Sequence, residues 1–252
     1  MARILAVSDT HGMVNLGRIA DKAIRTKADV LVMAGDIMPA DIRVDQKTYF
    51  REEFLGMAYR LNKRGIEVVA TPGNHDLFFR EMGDLEYPAH VLCDREIMVK
   101  GVRFYCTPWV PYINGRWAYE VEDGRLLEKF ADIPTGIDVL VSHTPPAGGS
   151  FEDFDVSLQT RIGPRKHLGS VALLDAIYKK KPKVVVCGHI HSGDHALCRI
   201  MDTAIINCSL VDEHYHEAYK PAEIKVVNGE FSFRTNGGLK WRKLSETWQS
   251  RT

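Results

Sequence analysis

Short apolar, largely β-branched runs recur along the chain and break off abruptly in polar, glycine-bearing turns. They occupy residues 4–7, 30–33, 66–70, 137–141 and 184–186. Runs with so few polar positions fit strands covered on both faces, not strands with one wet side. Between the first two, Leu16, Ile19, Ala20, Ala23 and Ile24 recur at helical spacing; before the third, Phe50, Phe54, Met57, Ala58 and Leu61 do the same, with Gly65 placed as a helix stop. A third amphipathic helix is predicted over 171–178, ahead of the strand at 184. Strand, helix, strand, helix, strand at the start of a chain predicts parallel pairing through right-handed crossovers.

Beyond about residue 195 the spacing changes. Strands are predicted close together at 196–200, 203–208, 222–227 and 231–234, with Asn228-Gly229 turning the last pair as a hairpin. The expectation is one α/β domain over residues 1–252, built of mixed sheets flanked by helices, with an extended tail from about residue 236. The longest irregular stretch runs from 145 to 167, and loops of that length in compact domains commonly serve function. Trp241 and Trp248 in the tail have either the body or a second subunit to pack on, which leaves a homo-oligomer open.

Composition narrows the functional classes. Among 252 residues, 33 Lys and Arg balance 33 Asp and Glu, so no polybasic field exists to hold a nucleic-acid polymer or an anionic membrane by charge alone. No apolar run is long enough to span a bilayer. The five cysteines, Cys93, Cys106, Cys187, Cys198 and Cys208, form no C-x-x-C pair and read as core thiols of a reducing, cytoplasmic protein, with a Cys198–Cys208 hairpin bridge as the alternative.

What each apolar run ends in is more informative. The segments LAVSDTH, VLVMAGD, VVATPGNHD, VLVSH and VVVCGHIH place Asp9, His11, Asp36, Asn74, His75, His143, His189 and His191 just past strand ends. In sheets of this kind such side chains converge on one crevice. Taken singly each residue has a plainer reading: Asp9 as a helix cap, Asp36 as a turn residue, His143 as a core histidine, His189 and His191 as a chance surface pair. Together they do not, because buried carboxylates need compensating positive charge. Imidazoles, carboxylates and one amide oxygen without a thiolate suit two divalent ions, Mn, Fe, Zn or Ni, sharing a carboxylate. Such a pair readies water for attack on a phosphoester.

These motifs, Asp9-Thr10-His11, Gly35-Asp36, Gly73-Asn74-His75-Asp76, the lone His143 and Gly188-His189-Ile190-His191, resemble in order those of the calcineurin-like metallophosphoesterases. The resemblance spans residues 9 to 191 and implies a four-layer α/β/β/α sandwich of two mixed sheets. It implies that Asp9, His11, Asp36 and His191 hold one metal and Asp36, Asn74, His143 and His189 the other, with His75 as proton donor to the leaving oxygen. Asp76 either orients His75 or begins a helix at Leu77. VLVSHTPP, KPKVVVCGHIH and IINCSL look like the smaller phosphodiesterases related to cyclic-nucleotide and brain-type members. GDIMPAD lacks the V-D-R-G extension of protein serine/threonine phosphatases.

The expected activity is hydrolysis of a small phosphodiester by metal-bound hydroxide. A phosphomonoesterase with the same core and a non-catalytic scaffold are the rivals. For substrate contacts the sequence offers Asn74, Asn207 by resemblance, and the aromatics Trp109, Tyr112 and Trp117 as an apolar wall or, equally, as loop packing. Arg161, Arg165 and Lys166 are either anion guides or solvated, while His214 and His216 read as surface residues.

Overall fold

The computed structural model describes residues 1–41, 43–147, 158–159, 166–191, 197–235, 238 and 240–246. Most of the 145–167 loop, with Arg161 and Arg165, lies outside them, as does Trp248. A seven-stranded sheet has the spatial order Arg242–Lys243, Glu230–Arg234, Ala222–Val227, Ala2–Val7, Val30–Ala34, Glu67–Thr71, His90–Val91. Its strands from Ala2–Val7 to His90–Val91 are parallel, and Ala222–Val227 runs antiparallel to Ala2–Val7. A six-stranded sheet has the order Leu197–Ile200, Thr203–Asn207, Val184–Cys187, Val139–Ser142, Val102–Thr107, Arg95–Val99, parallel in the middle and antiparallel at both edges. This is the expected four-layer arrangement.

Side-chain alternation builds the layers. In the first strand Ile4 and Ala6 face the second sheet, where they meet Phe104, Val141 and Val186, while Leu5 and Val7 face the helices. A central strand therefore contributes to two cores at once, which is why its sequence is almost uninterruptedly apolar. The helix Leu16–Arg25 and the helical stretch from Gln46 to Asn62 cover the first sheet; Asp123–Ala131 and Val171–Lys180 cover the second. Asn15 caps the first of these by accepting from the Arg18 amide at 3.0 Å, and Ser170 caps the last through the Leu173 amide.

The second helical stretch begins four residues before the predicted Phe50, capped by Asp45, and contains a π-helical segment, Phe50–Phe54. There the Leu55 amide bonds to the Phe50 carbonyl, while Phe50 and Phe54 stack at 5.6 Å and both meet Phe79 edge-on. Helix Asp123–Ala131 and edge strand Arg95–Val99 went unpredicted: the helix buries only Leu126 and Phe130 deeply, and the strand is mostly exposed.

None of the five cysteines forms a disulfide. The Cys198–Cys208 alternative fails on geometry, because Cys208 lies in the layer between the sheets and Cys198 packs on the outer face of the second sheet. Among the described residues no helix is long and apolar enough to cross a membrane.

Candidate active site

All five predicted strands end on the same rim. Several hydrogen bonds stitch the sheets together there. The Ser8 amide donates to the Cys208 carbonyl at 2.8 Å, and the His143 imidazole, from the second sheet, meets the Ala34 carbonyl of the first at 2.8 Å. Asp9, His11, Asp36, Asn74 and His143 are all essentially buried, and His189 and His191 are partly so.

The backbone at this rim is unusual for residues with side chains. Asp9, His11, Asp36 and His189 all have positive φ, at 53°, 47°, 51° and 65°. Each such conformation costs on the order of 1 kcal/mol or more, and its concentration in four polar residues aims their side chains inward at the expense of local comfort. Two glycines make room. A Cβ on Gly73 would collide with the Asp36 carboxylate and the His143 ring, and one on Gly188 with Ser8 and the Asp9 carboxylate. These glycines serve the site's tight packing.

The imidazoles show what the cluster is built to hold. A carbonyl can only accept, so the contact with Ala34 places the His143 proton on Nδ1 and leaves Nε2 with a lone pair. That lone pair faces Asp36 Oδ2 at 3.3 Å and Asn74 Oδ1 at 3.0 Å. His191 repeats the device: Nδ1 meets the Asp212 carbonyl at 3.2 Å, and Nε2 faces Asp9 Oδ1 at 3.3 Å and His11 Nε2 at 3.2 Å. Acceptors turned on acceptors in a buried site repel one another unless a proton or a cation lies between. His189 Nδ1 and His11 Nδ1 are also buried without hydrogen-bond partners.

Three groups of donors result, Asp9 with His11 and His191, Asp36 with His143 and His189, and, sharing a member with each, His11 with Asp36 and His75; within each, the ligand atoms lie within 4.8 Å of one another. Asp36 Oδ2 also lies 3.6 Å from His11 Nε2, which joins the groups. The donor chemistry, the inward lone pairs and the orphaned nitrogens fit two divalent cations.

The protein's own charges point the same way. Burial resists ionisation of Asp9, but His191 outweighs it and holds the carboxyl at about 2. Asp36 is likewise held well below the usual range by His143, His75 and His11 against burial. Burial pushes His11 and His189 down to about 3, whereas Asp36 overcomes burial at His143 and raises it to about 9. Without metal the site thus contains two ionised acids, two neutral rings and, on His143, a second proton between Nε2 and Asp36 that a cation would displace.

His75 stands beside this cluster. Its amide donates to Asp36 Oδ1 at 2.7 Å, its ring lies 4.9 Å edge-on from His11, and Trp117 covers it at 4.2 Å. Its Nδ1 is enclosed without a partner, so Nε2 is the nitrogen open to the cleft. Asp76 stands at the N-cap of helix Leu77–Met82, the second of its two expected places, but its carboxylate is engaged elsewhere. Its carboxylate accepts from the amides of Ile37, Met38 and Gly73 at 2.7–2.9 Å, makes no side-chain cap to helix Leu77–Met82, and makes no hydrogen bond to His75 Nδ1. It ties the Gly73-Asn74-His75 turn to the turn after Asp36. Burial and the Asp36 charge raise its carboxyl to about 7 against those three amides.

An open cleft of about 660 Å³ lies over the cluster, lined by Asp36, Asn74, His75, His189 and His191 together with Met13, Ile113, Trp117, Leu168 and Tyr215. The sequence-based expectations for substrate contacts need correction. Trp109 does not line the cleft; its indole N–H donates to Asp94 at 2.6 Å and Lys129 covers the ring. Tyr112 is 52% exposed and also lies off the lining. Asn207 is buried behind the site, its side chain donating to the Ile190 carbonyl and accepting from the Ser209 amide, so it braces the G-H-I-H turn. From the same aromatic loop it is Trp117 and Ile113 that reach the cleft. Tyr215 went unnoticed; it sits edge-on to His11 at 4.8 Å and to His191 at 5.3 Å, between two histidines that are 79% side-chain exposed (His216) and exposed (His214).

Comparison with known proteins gives the family. The model of the family described as calcineurin-like phosphoesterase matches residues 2–193. The chain belongs to the calcineurin-like phosphoesterase family, a family of hydrolases. Metallophosphoesterase domain-containing protein 1 of Homo sapiens is 29% identical over 252 residues, covering 88% of this chain and 70% of that protein. UPF0046 protein C25E10.12 of Caenorhabditis elegans is 27% identical over 241 residues, covering 87% and 79%. Among solved structures, a dimetal phosphatase from Danio rerio shares the fold with a TM-score of 0.57 at 10% identity, covering 96% of this chain and 98% of that one.

Proposed function

We propose that the protein is a metal-dependent phosphodiesterase acting on small diesters, with His75 as general acid. The observation that carries the diester preference is the makeup of the cleft: among the described residues lining it there is no lysine or arginine, and its charged members beyond the histidines are Asp36, Asp41 and Glu213. The two cations would attract either ester, but a monoester dianion finds no lysine or arginine among these side chains to pair its second charge. A diester has a single negative charge and two organic substituents, for which Met13, Ile113, Trp117, Leu168 and Tyr215 provide apolar walls.

Asp9, His11, Asp36 and His191 would hold one cation, and Asp36, Asn74, His143 and His189 the other. Divalent ions held there would supply Lewis acidity, lowering the pKa of water and neutralising phosphoryl charge. The chain's own residues do the rest. Asp76 keeps the Asn74–His75 turn in place through the three amides it accepts from, and Trp117 excludes water from one face of the His75 ring. From that position His75 Nε2 delivers a proton to the departing oxygen. The unbridged cysteines support placing this activity in the reducing cytoplasm.

The reading is tested by assaying metal-supplemented protein on a bis-aryl phosphodiester and on the monoester of the same alcohol. The diester should be preferred in kcat/KM by about tenfold or more. Equal or faster turnover of the monoester would overturn it.

A further inference from the structure

A second cavity, of about 330 Å³, opens far from the cleft. It lies at the start of strand Ala2–Val7, whereas Asp9 follows that strand's end, so roughly 20 Å of extended chain separates the two sites. Its walls are the outer face of the first sheet beside the C-terminal end of helix Leu16–Arg25, closed by Trp241. Four cations line it, Arg3, Arg25, Lys225 and Arg234, against one carboxylate, Glu223. That carboxylate is already held by Arg234 at 2.6 Å and by Lys22 at 3.1 Å.

Two features set this cluster apart from an ordinary charged surface. Arg3 and Lys225 are direct partners across the antiparallel ladder, a like-charge pairing that weakens a sheet. Among the described residues neither they nor Arg25 form an ion pair; the Lys225 ammonium instead lies 3.7 Å over the Trp241 ring, with the Arg234 guanidinium at 5.0 Å. In addition, Arg3 Nε and Arg234 Nε are buried without any hydrogen-bond acceptor, a cost that a ligand rich in oxygen acceptors would remove. The chain is neutral overall, so the concentration of positive charge is local and not a result of composition.

We propose that this cavity binds a small phosphate-bearing anion. Guanidinium forks from the first strand and the hairpin match phosphate oxygens in pairs, Lys225 adds a point charge, and Trp241 forms a flat apolar wall. The volume falls at the small end of ligand cavities and suits a compact ligand. No residue of the cleft takes part, so the site stands or falls independently of the diesterase reading.

Trp241 is its reporter. In the metal-loaded chain, indole emission is followed during titration with inorganic pyrophosphate, and the part of the change that disappears in Trp241→Phe belongs to the cavity. That part should saturate below about 1 mM and require at least about tenfold more pyrophosphate in the Arg3→Gln/Lys225→Gln double variant, whose hydrolytic activity should stay parental and so report its folding. Phosphatidylcholine vesicles with and without phosphatidylinositol 4-phosphate separate the sources of the phosphate. Inert vesicles with pyrophosphate binding mark a free ligand; a vesicle response that pyrophosphate displaces marks a lipid headgroup; both support the site. Absence of any Trp241-dependent change, or an unaltered midpoint in the double variant, would refute it.

Discussion

His75 and Trp117 form a unit in which one ring carries the proton and the other fixes where it is carried. Removing the imidazole should leave both proposed metal sets intact, because His75 belongs to neither. For His75→Ala the expected result is near-parental metal content by elemental analysis and a fall of about 100-fold in kcat on diesters with alkyl leaving groups. Diesters of p-nitrophenol, whose leaving oxygen needs no proton, should lose far less. Trp117→Ala should show the same leaving-group dependence at about tenfold, and Trp117→Phe should recover most of it, since a second aromatic face restores the contact seen at 4.2 Å. A uniform loss for every leaving group would assign Trp117 to binding alone. At this scale the sequence was only partly legible. The metal-type donors announced themselves by residue type at strand ends, whereas Asp76, Asn207, Trp109 and Tyr112 carry polar or aromatic groups whose partners are far away in the chain and so leave no local signal. Tyr215 was hidden for the same reason.

Elements with two buried faces were readable because the whole strand must be apolar; those with one shallow anchor were not. Helix Asp123–Ala131 shows only Leu126 and Phe130 at i and i+4, too brief a period to separate from loop. The π-helical segment was equally silent: Phe79, which its two phenylalanines pack on, belongs to a different element. The hairpin beside the first strand permits a prediction about acidity. Burial opposes the charge on Glu223, but Arg234 and Lys22 outweigh it and leave its pKa below the ordinary glutamate value. Stability from this carboxylate is therefore present above the unfolded-state pKa and is lost as pH falls through the lower folded-state value. Glu223→Gln should lower stability at pH 7 by about 1 kcal/mol or less, the pair being partly solvated, and the difference from the parent should shrink to nothing in the acid limb of a urea-melt series. A gap that persists at pH 2 would show that shape, not charge, accounts for it.

Over the whole molecule, the four layers follow from the order of apolar runs, and the site follows from where five of those runs stop. The positive φ angles at Asp9, His11, Asp36 and His189 were beyond reach of sequence, because aspartate and histidine visit that region only occasionally and no local pattern marks where. Cations that relieve this crowding should stabilise the fold by mass action. Chelation should lower Tm by several degrees at neutral pH, and resupplying manganese should restore it; an unchanged Tm, with metal loss confirmed by elemental analysis, would mean that the rim is rigid on its own.

The donors are divided by origin: Asp9, His11, Asp36 and Asn74 hang from the first sheet, while His143, His189 and His191 hang from the second. Each proposed ion consequently works as a rivet through both leaves of the sandwich, and the filling between the leaves acts as a shim that sets the gap. A trimmed side chain deep in that filling, such as Val141→Ala, would then register first as a changed metal preference, well before the molecule comes apart.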